Sequence, residues 1–376
     1  MSAPACGCVR RSTDRLADGR KIIYFDDSPE YREGRASRIL PDRRPLPPVT
    51  GGSTLRYDVL TGEWVAIASH RNSRTFLPPE DLCPLCPTHP GRAASEIPAH
   101  DYDVVVLENR FPAFGLPPDQ VPATVDGTDL WPQEPALGRC EVICFTSDHG
   151  TDFSRLEPSR VRTVVEAWAD RTAELSALPG TVQVFCFENR GQEIGVTLHH
   201  PHGQIYAYPF LTARTAGLLR QAEAHRRRTG GNLLRDVLEA ERRARTRIVF
   251  EGEHWTAYVP AAARWPIEVH LAPHRDRADL AELDGPERDE LSRLYLDLVR
   301  RVDRYHDGVG ATPYVSGWHQ APVGPGRELG RLHLQLFSVL RAPGRLKYLA
   351  GSESGMGSWI NDAVPEQIAA RLREVG

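Results

Sequence analysis

The strongest constraint on this chain is that one passage of its sequence recurs. Glu141-Val142 opens a strand-like stretch to Phe145. His149 follows, then Phe153, Leu156 and an apolar series Val161, Val164, Val165, Trp168 and Leu175 at helical spacing. Glu268-Val269 begins a second such passage. Asp276 stands at the offset of His149, Leu280 and Leu283 match Phe153 and Leu156, and Leu291, Leu294, Leu296 and Val299 continue as a helix. Each helical pattern gives way to strand-like sequence, Val182 to Phe187 and Pro313 to Trp318. Each then reaches a histidine-bearing strand, His200-Pro201-His202 and His333-Leu334-Gln335. Order, offsets and element types agree together, so the chain reads as a duplication. The expected fold is α+β, two tandem halves that are each an antiparallel sheet with flanking helices. The first half spans residues 54–212 and the second 213–376. Residues 1–53, rich in Arg, Pro and Asp around a short apolar stretch from Lys21 to Phe25, read as an N-terminal arm.

A length of 376 residues suits two such units. The net charge of -4, with 26% charged residues, argues against a general nucleic-acid or membrane-surface binder. Any phosphate chemistry must be local. No apolar run approaches the roughly 20 residues that span a bilayer, and the start is polar and broken, so the expected location is cytoplasmic. Of 46 basic residues only Lys21 and Lys347 are lysines, which draws attention to both. The seven cysteines are odd in number, and only Cys6/Cys8 and Cys83/Cys86 lie close together, so a metal site explains them better than a disulfide framework.

The densest chemical signal is His199-His200-Pro201-His202-Gly203-Gln204. In a strand alternate side chains share a face, which puts His200, His202 and Gln204 together. A neutral, oriented imidazole can attack phosphorus, and an amide two residues on can donate to a phosphoryl oxygen as charge builds there. Cys83-Pro84-Leu85-Cys86 has the spacing of half a structural zinc site; it lies among prolines rather than opening a helix, which disfavours a redox pair. His149 and His200 are the candidates to complete a Cys2His2 set. No GxxxxGK[ST] phosphate loop competes with this reading.

Taken in order, Cys83-Pro84-Leu85-Cys86, Asn109-Arg110-Phe111-Pro112, Ser147-Asp148-His149, Phe187-Glu188-Asn189, His200-Pro201-His202-Gly203-Gln204, Gly317-Trp318-His319 and Leu346-Lys347-Tyr348 resemble the galactose-1-phosphate uridylyltransferase family of the histidine triad superfamily. The similarity runs from about Arg56 to Glu353. It implies two histidine-triad-like halves, with His202 as the nucleophile that becomes uridylylated and Gln204 holding the phosphoryl group. Cys83, Cys86, His149 and His200 match the family's zinc ligands. Asn109 and Phe111 match its base and ribose pocket, and Asn189 and Thr197 match positions near the phosphates. Arg71, Arg74 and Lys347 match basic residues that meet the sugar phosphate, some from the neighbouring subunit of a homodimer with shared active sites. The implied reaction is ping-pong transfer of UMP from UDP-glucose to galactose 1-phosphate through a uridylyl-histidine.

The sequence also departs from the family. A second metal site in some members uses a glutamate soon after the His-Pro-His string, the histidine of Gly-Trp-His and an H-x-H pair. Here His319 and His333 remain, Gln335 replaces the last histidine and residues 210–219 hold no glutamate, so that site is expected to be absent or weak. Thr197-Leu198-His199 stands where Ser-Asn-Pro is usual. Cys6-Gly7-Cys8 has no assigned role. Two other functions are compatible with parts of the pattern: adenylyl transfer from ADP-glucose, and a non-catalytic metal-stapled binding protein, which the retained His202 and Gln204 disfavour. Hydrolysis of the small histidine-triad kind needs a further histidine where Gln204 stands.

Overall fold

The computed structural model describes residues 9–49, 52–73, 76–115 and 120–376. Cys6, Cys8 and Arg74 lie outside them. The chain begins with a hairpin, β1 (Arg10–Arg15) and β2 (Lys21–Asp26), and a single helical turn, α1 (Pro29–Arg32). A small side sheet joins β3 (Thr54–Asp58), β4 (Glu63–Ile67) and β6 (Gln133–Pro135); β5 (Val104–Glu108) belongs to the main sheet. The first half then runs β7 (Arg139–Cys144), α2 (Pro158–Ser176), β8 (Gln183–Arg190) and β9 (His202–Tyr208). After α3 (Ala213–Thr229) and α4 (Leu233–Ala244) come β10 (Ile248–Glu251), β11 (Trp255–Tyr258), β12 (Ile267–Pro273), α5 (Gly285–Asp303), β13 (Tyr314–His319), β14 (His333–Ser338) and α6 (Pro365–Glu374).

The repeat is visible in this order. Both α2 and α5 have 19 residues, start on Pro or Gly-Pro after an acidic residue, and follow a strand and a 3-10 turn. The α5 start carries a capping box, Asp284 accepting from the Glu287 backbone N–H and Glu287 accepting from that of Asp284. The two halves do not keep separate sheets. The strand order β1-β2-β5-β7-β9-β8-β13-β14-β12-β11-β10 makes one eleven-stranded antiparallel sheet, and the halves meet where β8 pairs with β13, Phe187 opposite Gly317. Outward from that seam corresponding strands follow in the same order, β8-β9-β7-β5-β2 on one side and β13-β14-β12-β11-β10 on the other.

Both long helices lie on one face and share one core. Phe153 and Trp168 of the first half pack on Tyr295, with ring centroids 5.0 and 6.0 Å apart, and Trp168 lies 6.1 Å from Trp318. All of these are buried in a single apolar cluster that takes in both halves. Burial of this kind contributes about 25 cal/mol per Å² of apolar surface, so the shared layer helps to hold the halves together.

The N-terminal segment corrects the reading of an extended arm. Ile22 to Phe25 are all buried, and β2 pairs with β5 in the register Ile22↔Leu107 to Phe25↔Val104. The stretch lacks alternation because both of its faces are covered. Ile23 and Phe25 join the main core, whereas Ile22 and Tyr24 pack with Leu85, Tyr102 and Val105 on the other face.

One ion pair ties helix to sheet beneath this core. Arg171 of α2 meets Glu141 of β7 with two parallel bonds, Nε to Oε2 at 2.8 Å and Nη2 to Oε1 at 2.9 Å, and each side chain is 2% exposed. Removing one partner leaves the other buried and uncompensated. Arg171→Ala is therefore expected to lower stability by about 3–5 kcal/mol, read as a fall in the urea midpoint with the slope unchanged.

Candidate active site and metal centre

β9 has an alternating burial pattern, with His202, Gln204, Tyr206 and Tyr208 half-buried on one face and Gly203, Ile205 and Ala207 buried on the other. Glycine at 203 is a steric requirement. A Cβ there would stand 2.8 Å from the Phe187 carbonyl oxygen and 2.9 Å from the Phe145 ring. Strands β7 and β8 fix the flanking residues, with Cys144 opposite His202, and Val142 and Phe187 opposite Gln204.

The His202 imidazole is oriented by its own chain. Its Nδ1 lies 2.7 Å from the His200 carbonyl oxygen, an acceptor, so Nδ1 carries the proton and Nε2 keeps its lone pair. Burial lowers its pKa below the usual histidine value, opposed by that carbonyl, and the ring stays neutral at pH 7. Gln204 Oε1 accepts from the Tyr206 hydroxyl at 2.9 Å, which orients the amide and leaves its N–H₂ end as donor.

His202 and Gln204 line a cavity of about 540 Å³, and Arg71, Asn109, Phe111 and Thr197 line it too. Asn109 Oδ1 accepts from the Phe111 backbone N–H at 2.8 Å, and Arg71 Nη1 donates to the Phe111 carbonyl at 2.8 Å, so these three hold one another. Asn189 faces a smaller recess of about 200 Å³ that meets the main cavity at Leu198 and His202. Lys347 is not brought to this site. It is 4% exposed, and its ammonium donates to the Ile360 carbonyl and sits 3.3 Å from the Glu353 carboxylate of the same chain. A buried ammonium needs such a counter-charge. Arg74 lies outside the described residues.

Cys83, Cys86, His149 and His200 converge, with ligand atoms all within 4.8 Å of one another. His200 leaves the face of His202 and Gln204, because β9 starts only at His202 and the chain before it turns inward. Nδ1 of His149 and of His200 lie 3.3 and 3.5 Å from Cys86 Sγ. The hydrogen bond from Cys86 pulls the Cys83 thiol down and pushes its own up, and a bound cation would favour the thiolate form of both. Two soft sulfurs and two imidazoles this close fit one tetrahedral metal ion.

Sequence reasoning missed the support behind this cluster. Nε2 of His200 lies 2.8 Å from the Thr146 carbonyl and 2.6 Å from the Tyr102 hydroxyl, which in turn donates to the Leu85 carbonyl at 2.7 Å. That arrangement puts the proton on Nε2 and frees Nδ1 for a metal. It also missed Arg20, Arg44, Pro45 and Leu46, which line the cavity from the N-terminal segment; nothing in their spacing signals it.

The second half carries the same scaffold with other chemistry. Arg331 stands in place of His200 and Asp276 in place of His149, and they form an ion pair, Nε to Oδ1 at 3.0 Å. His333 repeats the geometry of His202, with Nδ1 3.1 Å from the Arg331 carbonyl. It stacks on His319 at 5.0 Å and lies 5.7 Å from His270, while the Gln335 amide donates to Glu268 at 2.7 Å.

Two family models match the chain. One described as "Galactose-1-phosphate uridyl transferase, N-terminal domain" matches residues 48–212, and its C-terminal counterpart matches 218–376. The chain belongs to the galactose-1-phosphate uridylyltransferase family. A Streptomyces lividans galactose-1-phosphate uridylyltransferase is 45% identical over 98% of both chains. The Thermotoga maritima protein of the same name is 35% identical over 85% of this chain and 98% of its own. A solved uridylyltransferase structure, 30% identical, superposes with a TM-score of 0.74 over 86% of this chain and 98% of that one. Among the described residues no helix is long and apolar enough to cross a membrane.

The hydroxyl of Tyr102 should matter to the metal and not to the fold. Tyr102→Phe is expected to weaken metal binding about 10- to 100-fold in chelator competition, with circular dichroism unchanged. An unaltered affinity would show that the Thr146 carbonyl alone orients His200.

Proposed function

We propose that this family member is a galactose-1-phosphate uridylyltransferase working by two successive displacements at His202. The observation that carries the reading is the His202 ring on the cavity wall, neutral and with Nδ1 tied to its own backbone so that Nε2 is the nucleophilic atom. In the first step the Nε2 lone pair attacks the α-phosphorus of UDP-glucose. A P–N bond forms, the bond to the bridging oxygen breaks and glucose 1-phosphate leaves. In the second step a phosphate oxygen of galactose 1-phosphate attacks the same phosphorus, and the P–N electrons return to Nε2. The Gln204 amide and Thr197 hydroxyl supply donors to the non-bridging oxygens, Arg71 supplies positive charge, and Asn109 and Phe111 border the nucleoside. Asn189 completes the phosphate side from the recess.

Zinc is the metal that best suits the Cys83, Cys86, His149 and His200 donors, and with four protein ligands it would brace the loop and strand end rather than touch substrate. Metal analysis is expected to give about one zinc per chain, and Cys83→Ser to lower Tm before it alters adduct formation. The halves 54–212 and 213–376 are taken as its two evolutionary units, and the cytoplasm as its location.

The working unit is a homodimer with shared active sites. The family resemblance and the exposed apolar side chains Tyr348, Leu349, Met356 and Ile360 just beyond Lys347 support this. Sedimentation of the parent should give a dimer, and Tyr348→Asp with Met356→Asp should shift it towards monomer.

Incubation with UDP-glucose, without acceptor, is expected to add one UMP to each chain by intact mass. His202→Ala should add none, and His202→Gly with added imidazole should recover part of the transfer. An adduct that survives in His202→Ala would sink the assignment; an adduct formed from ADP-glucose and not from UDP-glucose would make this an adenylyl-transferring relative.

A further inference from the structure

The cavity of His202 is closed on one side by residues that lie before the family's N-terminal domain. That domain's model begins at residue 48, whereas Arg44, Pro45 and Leu46 line the cavity. Their position is fixed by a chain of ion pairs. Arg44 grips Asp42 through Nε at 2.9 Å and Nη2 at 2.7 Å, and its Nη1 lies 2.9 Å from Glu96. Asp42 in turn accepts from the Ala17 backbone N–H at 3.0 Å. Glu96 is also held by Arg20, which donates to the Glu108 carbonyl at 2.9 Å, and by Arg110 at 3.2 Å. Arg20, Glu96 and Arg44 have side chains only 3, 11 and 10% exposed, so screening by solvent is weak.

Two features make this strap a fixed part of the cavity wall beside Asn109 and Phe111. Arg110 lies between Asn109 and Phe111, so the Glu96 carboxylate joins the strap to those residues. Pro45, Pro47 and Pro48 around Leu46 restrict the backbone, so the surface is preformed and does not have to be ordered on binding.

We propose that the strap Asp42–Leu46 is a specificity wall, with Leu46 and Pro45 bounding the nucleoside end of the cavity and limiting the size of base that fits. The relatives accord with an added element. The Streptomyces match takes in 98% of this chain, so it includes the segment; the Thermotoga match takes in 98% of that protein and 85% of this chain, as expected if the segment has no counterpart there. The inference rests on the proposed uridylyl transfer for the identity of the nucleotide, and on the cavity alone for the wall.

Two variants of the full chain test it, Leu46→Ala to deepen the end and Leu46→Trp to fill it. Neither touches the Asp42, Arg44 or Glu96 ion pairs, and Leu46 is half-buried. Calorimetric Kd values for UMP and AMP are read beside the kcat and KM for UDP-glucose. Leu46→Trp is expected to raise the Kd for UMP and the KM about tenfold with kcat little changed. Leu46→Ala should shift the AMP/UMP affinity ratio about tenfold towards AMP. Metal content should match the parent in both. Kd ratios and KM within twofold of the parent in both variants would overturn the wall, as would a parent that binds neither nucleotide. A parent that binds UMP but forms no adduct from UDP-glucose would instead overturn the transfer reading, with the UMP and AMP affinities still deciding the wall.

Discussion

The pairing of β8 with β13 is the contact on which the rest of the molecule depends. It converts two half-sheets, each with an edge that would otherwise present unpaired backbone groups, into one sheet with that vulnerability removed at the centre. It also forces α2 and α5 side by side, so that the aromatic layer of Phe153, Trp168, Tyr295 and Trp318 belongs to neither half alone. The strand that bears His202 is β8's other neighbour. His202 thus stands one strand away from the seam between the halves, which would suit the nucleophile proposed for it, a group that must be placed within a fraction of an ångström.

The end of β9 is held by side chains rather than by a continued ladder. His200 faces the sulfurs, His202 faces the cavity, and the His200 carbonyl orients His202. A metal bound at the first histidine would therefore help fix the second through the short backbone between them and the His200 carbonyl. That is an indirect link, and it explains why a site with no open coordination position can still matter to chemistry beside it.

Much of this was legible in the sequence, for particular reasons. Cys83-x-x-Cys86 and His202-x-Gln204 encode local spacing that the fold preserves, whereas His200 leaves the shared face because strand alternation begins only at His202. The duplication could be read because offsets such as His149 to Asp276 and Phe153 to Leu280 are properties of order alone. Partnership between distant surfaces was not legible: the apolar faces of α2 and α5 announce burial without naming what buries them. The stretch from Lys21 to Phe25 looked like part of an arm because it is short and does not alternate, yet a strand covered on both faces has no reason to alternate. Lys347 drew attention by rarity, and rarity gave no hint of the Glu353 carboxylate that stands beside it in the same chain. Tyr102 and the strap before residue 48 gave no signal, since their roles exist only through contacts with residues far away in the chain.

The ion pair between Asp276 and Arg331 has a wider implication for how such an enzyme tolerates its surroundings. It occupies, in one half, the place that two imidazoles hold in the other, and it needs nothing from outside the chain. One half thus fills this position with charges of its own chain, while the other gathers four donors that could hold a metal ion. Gain or loss of a metal ion would then be felt at the first half's cluster, and the Asp276–Arg331 position would be indifferent to it.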